Sequence, residues 1–127
     1  MEINHIALIC SSEEVADKFY KNFLGLNKIR TFIVSSNMAY KIFNFIREYK
    51  VILYSNNQIK IEVFIDEEYK GNKNSISHIC IEVKSREELI SKAKKFGIHY
   101  LKIPKQDSFY LFIRDHDGNL FEVKEMN

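Results

Sequence analysis

Two histidines and two glutamates stand at matching places in the two halves of this chain. Residues 3–9 read Ile-Asn-His-Ile-Ala-Leu-Ile, and residues 76–83 read Ile-Ser-His-Ile-Cys-Ile-Glu-Val, so His5 and His78 occupy the same place in each copy. Each half closes on a strand pattern with a glutamate at its centre, Lys60-Ile61-Glu62-Val63-Phe64 and Leu120-Phe121-Glu122-Val123-Lys124. A single histidine in an apolar strand is more often a hydrogen-bonded core residue than a ligand, and a single glutamate there usually faces water. A repeated pair of each calls for another reading. Matched glutamates buried without partners are costly, and a shared cation removes that cost. His5, Glu62, His78 and Glu122 are therefore expected to hold one divalent metal ion.

Two imidazoles and two carboxylates without a thiolate suit a first-row ion (Ni, Zn, Co, Mn or Fe), most simply octahedral with two water positions left open. Those positions can accept two adjacent oxygens of a small-molecule substrate, polarise its carbonyl and stabilise the enediolate left when the neighbouring carbon loses a proton. The expected base is a metal-bound glutamate, Glu122 or Glu62, with Glu122 preferred because its strand follows the Asp117-Gly118 hairpin, read as flexible. Lys60 and Lys124 lie two residues from a ligand and so on its strand face. They lead Arg30, Arg47 and Arg114 as candidate anchors for an anion, although solvated surface charge is the commoner role for all five. Tyr40, Phe43, Tyr49 and Tyr110 are candidates for a pocket wall or for plain core. His99 has no assigned role, and His116 is expected to be exposed in a turn.

These residues need elements to carry them. Residues 2–9 and 76–83 read as strands, each followed by a helix start: Ser11 with Glu14, and Ser85 with Glu88, as capping boxes. Val15, Phe19, Tyr20 and Phe23 recur at helical spacing, as do Leu89, Ala93 and Phe96, and Gly25 and Gly97 end the two helices. Further strands are expected at about 28–34, 45–54, 58–65, 98–103, 108–114 and 119–125. Residues 35–44 are ambiguous between loop and a short helical turn. Asn56-Asn57 and Asp117-Gly118 are hairpin signals, and Pro104 falls in a connection. The fold class is α+β: a βαβββ module over 1–65, a polar linker over 66–75, and a second βαβββ module over 76–127. Strand alternation turns Ile61 and Val63, and Phe121 and Val123, under the helices, with the glutamates between them on the opposite face.

The 127 residues make a single domain. A net charge of +2, with Lys and Arg scattered among acids, gives no case for nucleic acid. No apolar run is long enough for a signal peptide or a membrane helix, so no membrane partner and a cytoplasmic location are expected. Cys10 and Cys80 lie in apolar strand patterns without framework spacing, which fits buried free thiols in a reducing compartment.

The chain resembles the vicinal oxygen chelate superfamily, which includes bacterial glyoxalase I, methylmalonyl-CoA epimerase, fosfomycin-resistance proteins, extradiol dioxygenases and bleomycin-binding proteins. The likeness is carried by Asn4-His5-Ile6-Ala7, by Phe19-Tyr20-Lys21-Asn22-Phe23-Leu24-Gly25-Leu26, by Ser77-His78-Ile79 and by Asp115-His116-Asp117-Gly118-Asn119-Leu120-Phe121-Glu122. It implies two βαβββ modules whose curved mixed sheets form a metal cup. Glyoxalase I uses His, Glu, His and Glu at the positions of His5, Glu62, His78 and Glu122, so the resemblance implies a glyoxalase I-like (lactoylglutathione lyase-like) lyase or isomerase. The alternatives are a small-molecule or drug-binding protein of the bleomycin- or fosfomycin-resistance type, and an epimerase of the methylmalonyl-CoA type. Lys73-Asn74-Ser75-Ile76-Ser77 lacks the glycine-rich approach to the second histidine common in glyoxalases, and no segment matches those that hold glutathione. Open sheet edges, and the family likeness, point to a homodimer.

Overall fold

A computed structural model describes residues 1–72 and 74–127. The chain divides into two compact units, Met1–Lys70 and Gly71–Asn127. The linker expected at 66–75 includes Lys73, which lies outside the described residues.

The first unit contains β1 (Ile6–Cys10), α1 (Glu13–Ala16), a π-helical segment (Asp17–Phe23), β2 (Asn27–Val34), α2 (Ser36–Phe43), β3 (Tyr49–Ser55) and β4 (Lys60–Ile65). Its strands form one mixed sheet in the order β1-β4-β3-β2. β1 runs parallel to β4, while β3 is antiparallel to both its neighbours. The second unit repeats the plan with β5 (Ile79–Val83), α3 (Arg86–Phe96), β6 (His99–Lys105), β7 (Ser108–Arg114) and β8 (Leu120–Glu125), in the sheet order β5-β8-β7-β6.

The period-two reading of the glutamate strands holds. Ile61, Val63, Phe121 and Val123 are buried, while Glu62 and Glu122 between them are half-buried. Ile52 and Tyr54 of β3 share the helix side in the first unit, and Tyr20 packs on Tyr54 at 5.6 Å between ring centroids. In the second unit Ile90 and Ala93 are the buried residues of α3.

Several boundaries differ from expectation. The first helix is capped by Ser12, whose side chain accepts from Val15 N at 3.2 Å, not by Ser11. Past Ala16 the winding loosens, and Leu24 N donates to Phe19 O at 2.8 Å, five residues back. Phe19, Tyr20 and Phe23 are all buried along this π-helical stretch. Residues 36–43 form a full helix, started by Ser35 accepting from Met38 N and stopped by Asn44 in the left-handed region at φ 64°. β3 consequently begins at Tyr49 rather than near residue 45. Pro104 lies inside β6, an edge strand, where its missing N–H costs no ladder bond. The Asp117-Gly118 turn is pinned rather than loose. Asp115 Oδ1 accepts from Asp117 N (3.0 Å) and Asn119 N (2.9 Å), and Asn119 Nδ2 donates to Asp115 Oδ2 at 2.7 Å. Gly118 has φ +89°, and a side chain there would collide with the Asn72 carbonyl.

A polar network ties α1 and the π-helical segment to the sheet. Lys28 bridges Glu13 and Asp17, Lys50 also reaches Glu13, and the Tyr54 hydroxyl donates to Asp17 Oδ1 at 2.7 Å. The Lys28 and Lys50 hydrogen bonds hold the Glu13 carboxyl below its ordinary pKa, while burial and then Asp17 push the Tyr54 phenol well above its own. A carboxyl depressed on folding stabilises above its unfolded pKa, and that stabilisation is lost as pH falls through the folded value. Glu13→Gln is thus expected to lower the melting temperature near neutral pH and to make no difference once the carboxyl is protonated. Its side chain is 35% exposed, so screening limits the effect to at most about 1 kcal/mol. Thermal melts of both proteins across the acid range check this, and a difference that persists undiminished in strong acid contradicts it.

Candidate metal centre

Neither histidine lies in a strand. β1 begins at Ile6 and β5 at Ile79, against expected starts at residues 2 and 76. The ladders decide this: Ile6 pairs with Ile61 and Ile79 with Phe121, each the second residue of its partner strand. His5 and His78 therefore sit one residue ahead of the paired stretch, on backbone free of the ladder.

In the first unit the expected pair meets. His5 Nε2 lies 3.3 Å from Glu62 Oε1, with the Glu62 side chain 18% exposed and that of His5 40%. Ala7, two residues beyond His5, is the register partner of Glu62. In the second unit Cys80 is the corresponding partner of Glu122, which sets its thiol beside the Glu122 carboxylate. Partial desolvation and then the neighbouring Glu122 carboxylate raise the Cys80 pKa, favouring the protonated thiol. Cys80 is exposed, contrary to the expected burial, whereas Cys10 is buried. The parallel register of β5 on β8 sets this neighbour, so no spacing along the chain signals it.

The imidazoles share a further feature. His5 Nδ1 lies 3.0 Å from Asn4 Oδ1, and His78 Nδ1 lies 2.7 Å from Ile76 O. With Nδ1 protonated, each donates to that oxygen and keeps its Nε2 lone pair free. Metal-binding histidines characteristically hold the non-ligating nitrogen this way, which fixes tautomer and ring angle. His78 also packs edge-on against Phe112, 6.0 Å between centroids.

These observations fit a mixed nitrogen–oxygen metal site. Ligand atoms about 2.1 Å from one ion lie roughly 3.0–3.4 Å apart at octahedral or tetrahedral angles, which the His5–Glu62 separation matches. Within either unit the described residues bring together pairs of such groups and no cluster of three or more His, Cys, Asp or Glu close enough to hold an ion.

The anion candidates divide. Lys60 and Lys124 are exposed. Arg47 is engaged by Asp66 at 2.7 Å and lies over Tyr49, and Arg114 donates to Gly118 O at 2.8 Å. Arg30 lies over Phe32 at 5.1 Å. Of the aromatic candidates Tyr49 is buried, while Tyr40, Phe43 and Tyr110 are exposed. His99 opens β6, and His116 is exposed in its turn. Alongside Glu62 on the first sheet, an apolar cleft of about 190 Å³ runs between Ala7 and Ile9 on one side and Phe43, Phe45 and Tyr49 on the other, with Phe64 also lining it. Phe45 and Phe64 had no sequence signal, since the cleft depends on how α2 returns over the sheet.

The model of the Glyoxalase/Bleomycin resistance protein/Dioxygenase superfamily matches residues 2–123. The chain belongs to this superfamily. Solved structures share its fold at low identity. The fosfomycin resistance protein FosX from Listeria monocytogenes is 16% identical with a TM-score of 0.74, covering 100% of this chain and 94% of that one. A glyoxalase family protein from Enterococcus faecalis is 21% identical (TM-score 0.73; 96% and 95% covered). The trypanothione-dependent glyoxalase I of Leishmania major is 18% identical (TM-score 0.73; 98% and 86% covered). A mutant of the Listeria protein is solved as a complex with Mn(II) and 1S,2S-dihydroxypropylphosphonic acid. No curated protein matches the chain. Among the described residues no helix is long and apolar enough to cross a membrane.

Proposed function

We propose that this superfamily member is a metal-dependent lyase or isomerase of the glyoxalase I type, which moves a proton between carbons next to a carbonyl. His5, Glu62, His78 and Glu122 would hold one divalent first-row ion. The observation that carries the reading is the His5–Glu62 pair, 3.3 Å apart, with both histidines presenting Nε2 because Nδ1 is engaged locally. The bound Mn(II) of the Listeria relative supports a divalent ion. When bound, the ion supplies Lewis-acid polarisation of a substrate carbonyl.

The remaining work belongs to the chain. Asn4 and the Ile76 carbonyl orient the imidazoles. Glu62 or Glu122 takes the proton from the carbon beside the carbonyl and returns it to the neighbouring carbon. His5 beside Glu62 and Cys80 beside Glu122 hold the carboxylates in place between steps.

A metal-free small-molecule binder is the second reading, favoured by the apolar cleft. Elemental analysis after reconstitution with Mn(II), Ni(II) or Zn(II) separates the two. About one ion per chain is expected, and His5→Ala or His78→Ala should drop the content below roughly 0.2 under the same conditions, since a ligand is lost outright. Wild-type protein that takes up less than that amount of every ion overturns the metal reading.

A further inference from the structure

The sheet face of the first unit changes character abruptly beyond Glu62. Ala7 and Ile9 of β1 are the register partners of Glu62 and Phe64 on β4, and Val51 of β3 is the other partner of Phe64. Strand alternation therefore places Ala7, Ile9, Phe64 and Tyr49 on the face that carries Glu62. Phe43, the last residue of α2, and Phe45 beyond its cap close the remaining side. The rings are already set against one another, Phe43 on Phe64 at 5.5 Å and Tyr49 on Phe64 at 5.8 Å, both edge-to-face.

Size and chemistry together select an occupant. The cleft holds about 190 Å³ and no charged side chain lines it. An apolar cavity of roughly 150 Å³ is enough to take up benzene, so one aromatic ring with a short substituent fits. A carboxylate or phosphonate seated among these residues would give up hydration against apolar walls with no cationic side chain to face it. Glu62 precedes Phe64 by two residues, roughly 7 Å along the strand, which is the reach of a short substituent on a ring.

The geometry points to a ligand with a single aromatic ring, seated between Phe43, Phe45, Tyr49 and Phe64, whose polar substituent extends to His5 and Glu62. For a substrate this means an aryl-substituted carbonyl compound. The identity of the polar end rests on the function proposed above; the ring seat does not.

The test uses the full chain and 4-fluorobenzyl alcohol as probe, followed by fluorine NMR with and without Zn(II). Saturable binding is expected in both states. Ala7→Phe fills the cleft from an exposed position on the edge strand and should weaken binding about tenfold or more. Phe45→Ala removes one wall and should weaken it several-fold; Phe45 is 56% exposed, so this variant decides the matter if Ala7→Phe fails to fold. In the zinc-free protein, where no ion can recruit it, propylphosphonate should not displace the probe, and only displacement in that state counts. Wild-type protein without saturable binding, binding that both variants leave unchanged, or displacement by propylphosphonate overturns the proposal. Ring binding without zinc uptake removes the metal reading alone, and zinc uptake without ring binding removes this inference alone.

Discussion

Glu122→Gln and Glu62→Gln are expected to separate metal holding from proton transfer. The amide oxygen of glutamine can still coordinate, so both variants should keep most of their metal. Whichever glutamate is the base should lose about 10²–10⁴ in turnover on an α-oxoaldehyde–thiol adduct, because an amide cannot accept the proton. A flexible hairpin would favour Glu122 as the base, but the Asp117-Gly118 hairpin is stapled by Asp115 and Asn119. The polar neighbours now distinguish the two. Glu62 faces an imidazole, whereas Glu122 lies beside the Cys80 thiol, which burial and the carboxylate keep protonated. Steady-state turnover with parallel metal analysis is the measurement. If both variants keep their metal and near-full turnover on a substrate the wild type converts, neither glutamate is the base.

Phe121→Ala is expected to produce the largest loss of stability, about 3–5 kcal/mol, because truncating a fully buried phenylalanine gives up its burial and leaves a cavity. Phe121 is 0% exposed and pairs in register with both Ile79 and Ile113. It is adjacent to Glu122, so the same change loosens the strand that aims the carboxylate. Lys124, exposed on that strand, serves as the control, and Lys124→Ala should stay within about 0.5 kcal/mol of wild type. Urea unfolding of the three proteins gives both values. A Phe121→Ala loss under about 1 kcal/mol would mean that this side chain does not anchor β8.

The sequence by itself determined what depends on local period and on repetition. Two-residue alternation set Ile61, Val63, Phe121 and Val123 inward and Glu62 and Glu122 outward, because a strand has no other way to present its side chains. The Ser85 cap and the Gly97 stop of α3 were legible for the same reason, since capping is settled within one turn of helix. Tertiary structure decided whatever required a partner distant in sequence. A parallel ladder begins only where both strands exist, which left His5 and His78 ahead of β1 and β5. Ser12 took the cap from Ser11, and Glu13 was recruited by Lys28 and Lys50 of the sheet rather than left to an acidic first turn. Pro104 joined a strand because β6 lies at an edge, a position no local signal encodes. The contact of Cys80 with Glu122 and the cleft beneath Phe43 and Phe45 arose likewise from register and from the return of α2 over the sheet, where packing between separate elements outweighs local preference.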